Sequence, residues 1–158
     1  MAELVDAALE VAPQHRIPAV RDLVDGLGRW LDGSKLRSDA LLRVEDAQRL
    51  AKTRTEIEAK VNALRRQADS YAQSLSPLSP EEDKAQVWEL EDKADELMER
   101  SQSLRLRQRQ FYRRALTLDS TCIPAREGLV RVLRDEYLMA FAAHDKAGIT
   151  QLRLLLKE

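Results

Sequence analysis

Apolar side chains recur at steps of three and four along most of this chain, and the two longest series flank a proline-containing bend. Before the bend, Ile57, Val61, Leu64, Ala68, Tyr71 and Leu75 hold the spacing. After it the spacing is held by Val87, Leu90, Ala94, Leu97, Ser101, Leu104, Gln108, Phe111, Ala115 and Leu118. Each series is a heptad seam. Two seams joined by a short loop bury best against each other when the helices run antiparallel. The pattern therefore predicts an all-α protein centred on a long antiparallel coiled-coil hairpin over residues 34–119. The bend, residues 74–83, holds Pro77 and Pro80, which lack the backbone donor that a continuing helix needs. Ser79 suits an N-cap and Pro80 a first helical position, with Glu81, Glu82 and Asp83 beside the positive end of the helix dipole.

The first arm extends back through Leu50, Ala47, Val44 and Ala40 at the same spacing, and Arg54 interrupts it. A polar residue on a seam lowers stability but fixes register. Ahead of the hairpin, residues 3–11 carry a helical apolar pattern that should stop before Pro13. A second helix, with Val20, Leu23, Val24, Leu27, Trp30 and Leu31 on one face, should end at Asp32-Gly33 on a glycine cap. Residues 1–33 thus read as a small helix pair. After the hairpin, Leu129, Val132, Leu133, Tyr137, Ala140 and Phe141 form another apolar face. A break near Ala143-His144-Asp145 and a last short helix with Ile149, Leu152, Leu155 and Leu156 close the chain.

Composition changes this picture little. Of 158 residues, 34% are charged and 4% aromatic, a balance suited to long solvated helices with narrow seams. The net charge of −1 gives no global attraction to nucleic acid or to an anionic membrane. The single cysteine, Cys122, cannot close an intramolecular disulfide, and no run is apolar enough for a membrane span, so a cytoplasmic location is expected. Local charge is more telling. Residues 81–99 hold nine acids and two lysines and should lie beside Lys60, Arg65 and Arg66 of the first arm. Residues 100–114 hold Arg100, Arg105, Arg107, Arg109, Arg113 and Arg114 and no acid. The facing arm offers Asp39, Glu45, Asp46, Glu56 and Glu58 to absorb that charge.

Two segments resemble known families. The run from Ala8 to Val20, with Ala12-Pro13 and Arg16, followed by Leu23 through Trp30-Leu31-Asp32-Gly33, resembles the C-terminal end of the catalytic domain of bacterial eukaryotic-like serine/threonine kinases. There an Asp-Pro-x-x-Arg segment joins two helices, and Ala12 stands here in place of the Asp. The Gly-rich loop, strand lysine, His-Arg-Asp and Asp-Phe-Gly motifs of such kinases are missing, so the resemblance implies a region that follows a kinase body and does not transfer phosphate itself. The segment from Phe111-Tyr112 through Ala115-Leu116-x-Leu118-Asp119 to Ala125 and Leu129 resembles the junction of tetratricopeptide repeats, with Ser120 in place of the usual Pro and Pro124 in the first turn of the next helix. It implies a repeat-like helical pair over residues 120–158. About three repeats are normally needed to stand alone, so this pair should lean on the hairpin.

No catalytic constellation emerges. His15, His144 and Cys122 are too few and too scattered for a metal site, and no nucleophile elbow is present. Glu89, Asp92 and Glu96 share a helix face without the Glu-x-x-His partner of a di-iron site, and read as a solvated face. No catalytic, metal or cofactor residue is assigned. The expected function is a non-enzymatic protein–protein interaction or regulatory module acting by helix-face recognition. Its candidate residues are Trp88, Arg105, Arg109, Tyr112, Arg113, Leu129, Leu133, Tyr137 and Phe141. Leu41, Leu42 and Leu106, off the seams, are candidates for a second stripe through which the chain forms a homodimer. The alternative is a nucleic-acid-binding hairpin that uses the arginines of residues 100–114, with Tyr112 stacking on a base.

Overall fold

A computed structural model describes residues 6–7, 9–10, 20–76 and 80–155. Its described residues are helical throughout their regular structure, with no strand, and the protein is all-α. From residue 20 on, the described residues form, in order, α1 Val20–Ser74, α2 Glu81–Leu118, α3 Ile123–Ala142 and α4 Lys146–Leu155. The Pro13 helix stop, Arg16, His15, Pro77, Ser79 and Leu156 lie outside the described residues. Of the first expected helix, residues 6, 7, 9 and 10 are described, the first three of them as helix.

At 1.5 Å per residue, the 55 residues of α1 extend about 80 Å. One expectation is corrected here. The helix does not end at Asp32-Gly33 but runs on without a break, so the division between residues 33 and 34 falls inside it. A glycine cap requires the left-handed conformation, and no described glycine takes it. Residues 34–40 contain no proline to stop propagation, and the Arg37 side chain folds back to 3.6 Å from where a Cβ on Gly33 would stand.

After Ser74, whose hydroxyl donates to the Tyr71 carbonyl at 2.7 Å, the chain turns into α2. Pro80 is the residue before α2 and not its first, with φ −55° and ψ 155°. The two helices run antiparallel. Arg65 meets Asp95, Glu58 meets Ser101, and Ala40, Val44 and Ala47 cluster with Tyr112 and Ala115. The seam residues behave as their spacing predicts. Ile57, Val61, Ala68, Val87, Ala94, Ser101, Gln108 and Ala115 are buried, and the leucines between them are half-buried. Tyr71 is the exception and is exposed.

α2 stops at Asp119, whose extended backbone donates its N–H to Ala115 at 2.9 Å. The Asp119 carboxylate then accepts the Thr121 N–H and hydroxyl at 2.9 and 2.6 Å, closing a tight turn. Pro124 sits in the first turn of α3, as its sequence position predicts. α3 returns along one flank of α2, burying Ala125, Val132 and Leu133. Its close approach depends on a glycine. A Cβ on Gly128 would lie 2.3 Å from the Tyr112 ring, which is itself 5% exposed and has no room to retreat. α3 ends where His144 takes the left-handed conformation at φ 55°, and Asp145 then accepts the Gly148 N–H at 3.0 Å to start α4. α4 packs back on α3 through Leu152.

Candidate interaction surface

A polar layer interrupts the apolar seam where α3 joins the hairpin. One oxygen of Glu58 accepts from Ser101 Oγ at 2.9 Å, Arg105 Nη2 at 3.0 Å and Arg54 Nη1 at 3.2 Å. The seam interruption expected at Arg54 is thus one member of a cross-helix network. Arg105 also contacts Met139 Sδ, and Arg109 donates to Glu136 at 2.9 Å, so the layer holds α3 as well. Two donors and one acceptor of the layer are left over. Arg54 Nε, Arg105 Nε and Gln108 Oε1 are buried without a protein partner. Two guanidinium groups on one carboxylate leave the layer cationic. Such a layer favours one register over others more than it adds stability.

The candidate residues separate into two groups. Arg105 and Tyr112 are buried in the joint between α2 and α3, and Leu133 is 3% exposed. The stacking of Tyr112 on a base that the nucleic-acid alternative invokes is therefore corrected: Gly128 covers the ring. Arg109 is committed to Glu136, while Leu129 and Tyr137 are half-buried. Sequence spacing did not separate these from surface residues, although a glycine inside an amphipathic helix was a signal of close approach. Trp88, Arg113 and Phe141 are exposed. Trp88 lines a notch of about 320 Å³ beside the bend, with Ala72, Leu75, Lys84 and Val87. Leu41, Leu42 and Leu106 are also about half exposed.

An outward face of α3, of which the sequence reading named Phe141 alone, is more extensive. Ile123, Val130, Leu138 and Phe141 point away from the bundle, each 50–65% exposed and spaced to share one side of the helix. Glu127 and Arg134 lie between them, and Arg126 and Arg131 line the same groove to either side. The Tyr137 and Phe141 rings stack at 6.5 Å, and Arg153 of α4 donates to the Tyr137 hydroxyl, which fixes one end of the face.

The anticipated charge pairing is realised in part. Arg105 does find Glu58, but Glu45 and Asp46 pair along their own helix with Arg43 and Arg49. Between the arms near the bend, Arg65–Asp95 at 3.3 Å is the described ion pair, and it is solvent-exposed. Among titrating groups, the Thr121 hydroxyl and N–H hold the Asp119 carboxyl below its ordinary range, and Arg37 acts in the same direction. Among the described residues no group of three His, Cys, Asp or Glu side chains is arranged to hold a metal ion, and no helix is long and apolar enough to cross a membrane. No family model matches the chain, and neither a curated protein nor a solved structure shows significant similarity to it.

Proposed function

We propose that the chain is a non-catalytic protein–protein interaction or regulatory module, a coiled-coil hairpin carrying a tetratricopeptide-like helical pair that docks a partner by a helix face. The observation that carries this reading is the outward face of α3, where Ile123, Val130, Leu138 and Phe141 stand exposed on one side. Four large apolar side chains exposed on one side of a solvated helix, interleaved with Glu127 and Arg134, make an amphipathic contact surface of the kind that docks a partner. The rigid joint at Tyr112 and Gly128 supports the reading, because it presents the face in one orientation. The likeness of residues 8–33 to the end of bacterial serine/threonine kinase domains suggests the setting: a helical region that follows such a domain and recruits or positions other proteins. Tyr112 and Arg105, the strongest residues for the nucleic-acid alternative, are buried in the fold, and that alternative is left with surface arginines alone.

The test is affinity capture from the source cells with wild-type protein and with Val130→Asp/Leu138→Asp, after circular dichroism has shown equal helicity. The reading expects specific partners that the double variant loses. An identical set of bound proteins from both would refute docking through α3.

A further inference from the structure

The outer surface of α2 carries a charge order that the fold does not use. Glu82, Glu89 and Glu96 recur every seventh residue, and so do Arg100, Arg107 and Arg114. The second series lies eighteen residues after the first, which is five helical turns, so all six side chains share one stripe. All six residues are exposed, and the stripe lies away from the flank of α2 on which Arg105, Arg109 and Tyr112 receive α3. Among the described residues their one ion pair is Glu89 with Lys93, along the same helix at 3.2 Å. None pairs with α1.

We infer that this stripe is a two-fold interface between two copies of the chain, with their α2 helices antiparallel. A stripe reading acid, acid, acid, then arginine, arginine, arginine complements itself in one orientation only. With the two-fold axis crossing the stripe midway between Glu96 and Arg100, Glu82 of one copy faces Arg114 of the other, Glu89 faces Arg107, and Glu96 faces Arg100, each pair occurring twice. Parallel alignment in register sets like charges together. A polyanion such as nucleic acid meets the arginines but is repelled by the three glutamates. Heptad-spaced flanking charges choose partner and orientation in this way in helical assemblies. The same register accounts for a second feature. A notch of about 430 Å³ lined by Leu50, Arg107, Gln110, Phe111 and Arg114 opens along the stripe, and the residue brought opposite Phe111 is Ala85, small enough for the helices to approach. The contact runs from Glu82 to Arg114, about 50 Å of helix at 1.5 Å per residue, long enough for a dimer interface of ordinary size. Because the arrangement is isologous, it closes at two copies and leaves no open end.

Sedimentation equilibrium on the full chain tests this. The wild type is expected to dimerise at about 50 mM salt, and its dissociation constant to rise at least about tenfold by about 500 mM, where the Debye length falls to a few ångströms. The acidic variant Arg100→Glu/Arg107→Glu/Arg114→Glu and the basic variant Glu82→Arg/Glu89→Arg/Glu96→Arg are each expected to be helical monomers, and their equimolar mixture a heterodimer. Val130→Asp on α3 is expected to leave association unchanged, so failure here and failure of the α3 docking face are separable. A wild type monomeric to about 100 µM at low salt, association that survives either triple swap, or swapped variants that stay apart when mixed would overturn the inference.

Discussion

Around Ala40, Val44, Ala47, Tyr112 and Ala115 the two long helices are joined by a third, whereas around Val61, Ala94 and Leu97 they have only each other. The spacing of apolar residues is the same in both regions. In the base half, α3 closes one flank of the hairpin, and the polar layer of Arg54, Glu58, Ser101, Arg105 and Gln108 lies where the three helices meet. In the half near the bend the seam is open on both flanks, Tyr71 and Trp88 are exposed, and the described cross-arm ion pair is a solvated one. A heptad pattern therefore fixes which residues face the partner helix. How deeply they are buried depends on how many partners there are.

The largest break in this contrast should come from Gly128→Val. The added side chain collides with a buried tyrosine ring, and overpacking of this kind costs about 3 kcal/mol at its upper range. Chemical denaturation should show that loss, with hydrogen exchange accelerated in α3 and in residues 104–118 and little changed near residues 61–68. Next comes Glu58→Ala, which strips three donors of their acceptor. Breaking a buried pair costs several kcal/mol, but the Glu58 side chain is 32% exposed, which reduces the expected loss to about 2 kcal/mol. Replacing Arg54, Glu58 and Arg105 together by leucine should leave the melting temperature unchanged or raise it, because the desolvated charges go with the pair. If the triple variant is as unstable as Glu58→Ala, the layer contributes stability and not register.

How much of this was legible in the sequence follows the same division. The seams, the bend, the turn before Pro124 and the break at His144 could be read, because local spacing and turn chemistry determine them. The continuation of α1 through Gly33 could not, since a glycine that ends one helix is tolerated within another when nothing after it breaks the helix. The fates of Tyr112 and Arg105 were also hidden. Both lie one step from the seam, and which flank α3 would fill is a tertiary choice that the period of three and four does not encode. Gly128 carried the hint, as a glycine placed where a helix must approach an aromatic ring.

Two smaller effects sharpen the comparison. Arg65→Ala removes an exposed pair near the bend and should cost under about 0.5 kcal/mol by denaturation, in contrast to Glu58→Ala. Acid should act on the base half through Asp119. Its carboxyl is held below the ordinary range by Thr121, so the folded state favours the ionised form, and the associated stability is present above the unfolded value of about 3.9. That stability is lost as pH falls through the lower folded value. Asp119→Asn, which keeps the acceptor but cannot ionise, should therefore flatten the dependence of melting temperature on pH below about 4.

Residue-resolved hydrogen exchange of the wild-type chain tests most directly whether α3 makes the two halves unequal. Amides of residues 108–118 and 125–133 should be the slowest to exchange, with those of residues 64–74 and 84–94 at least about tenfold faster. Equal protection along both arms, or stronger protection beside the bend, would contradict the account.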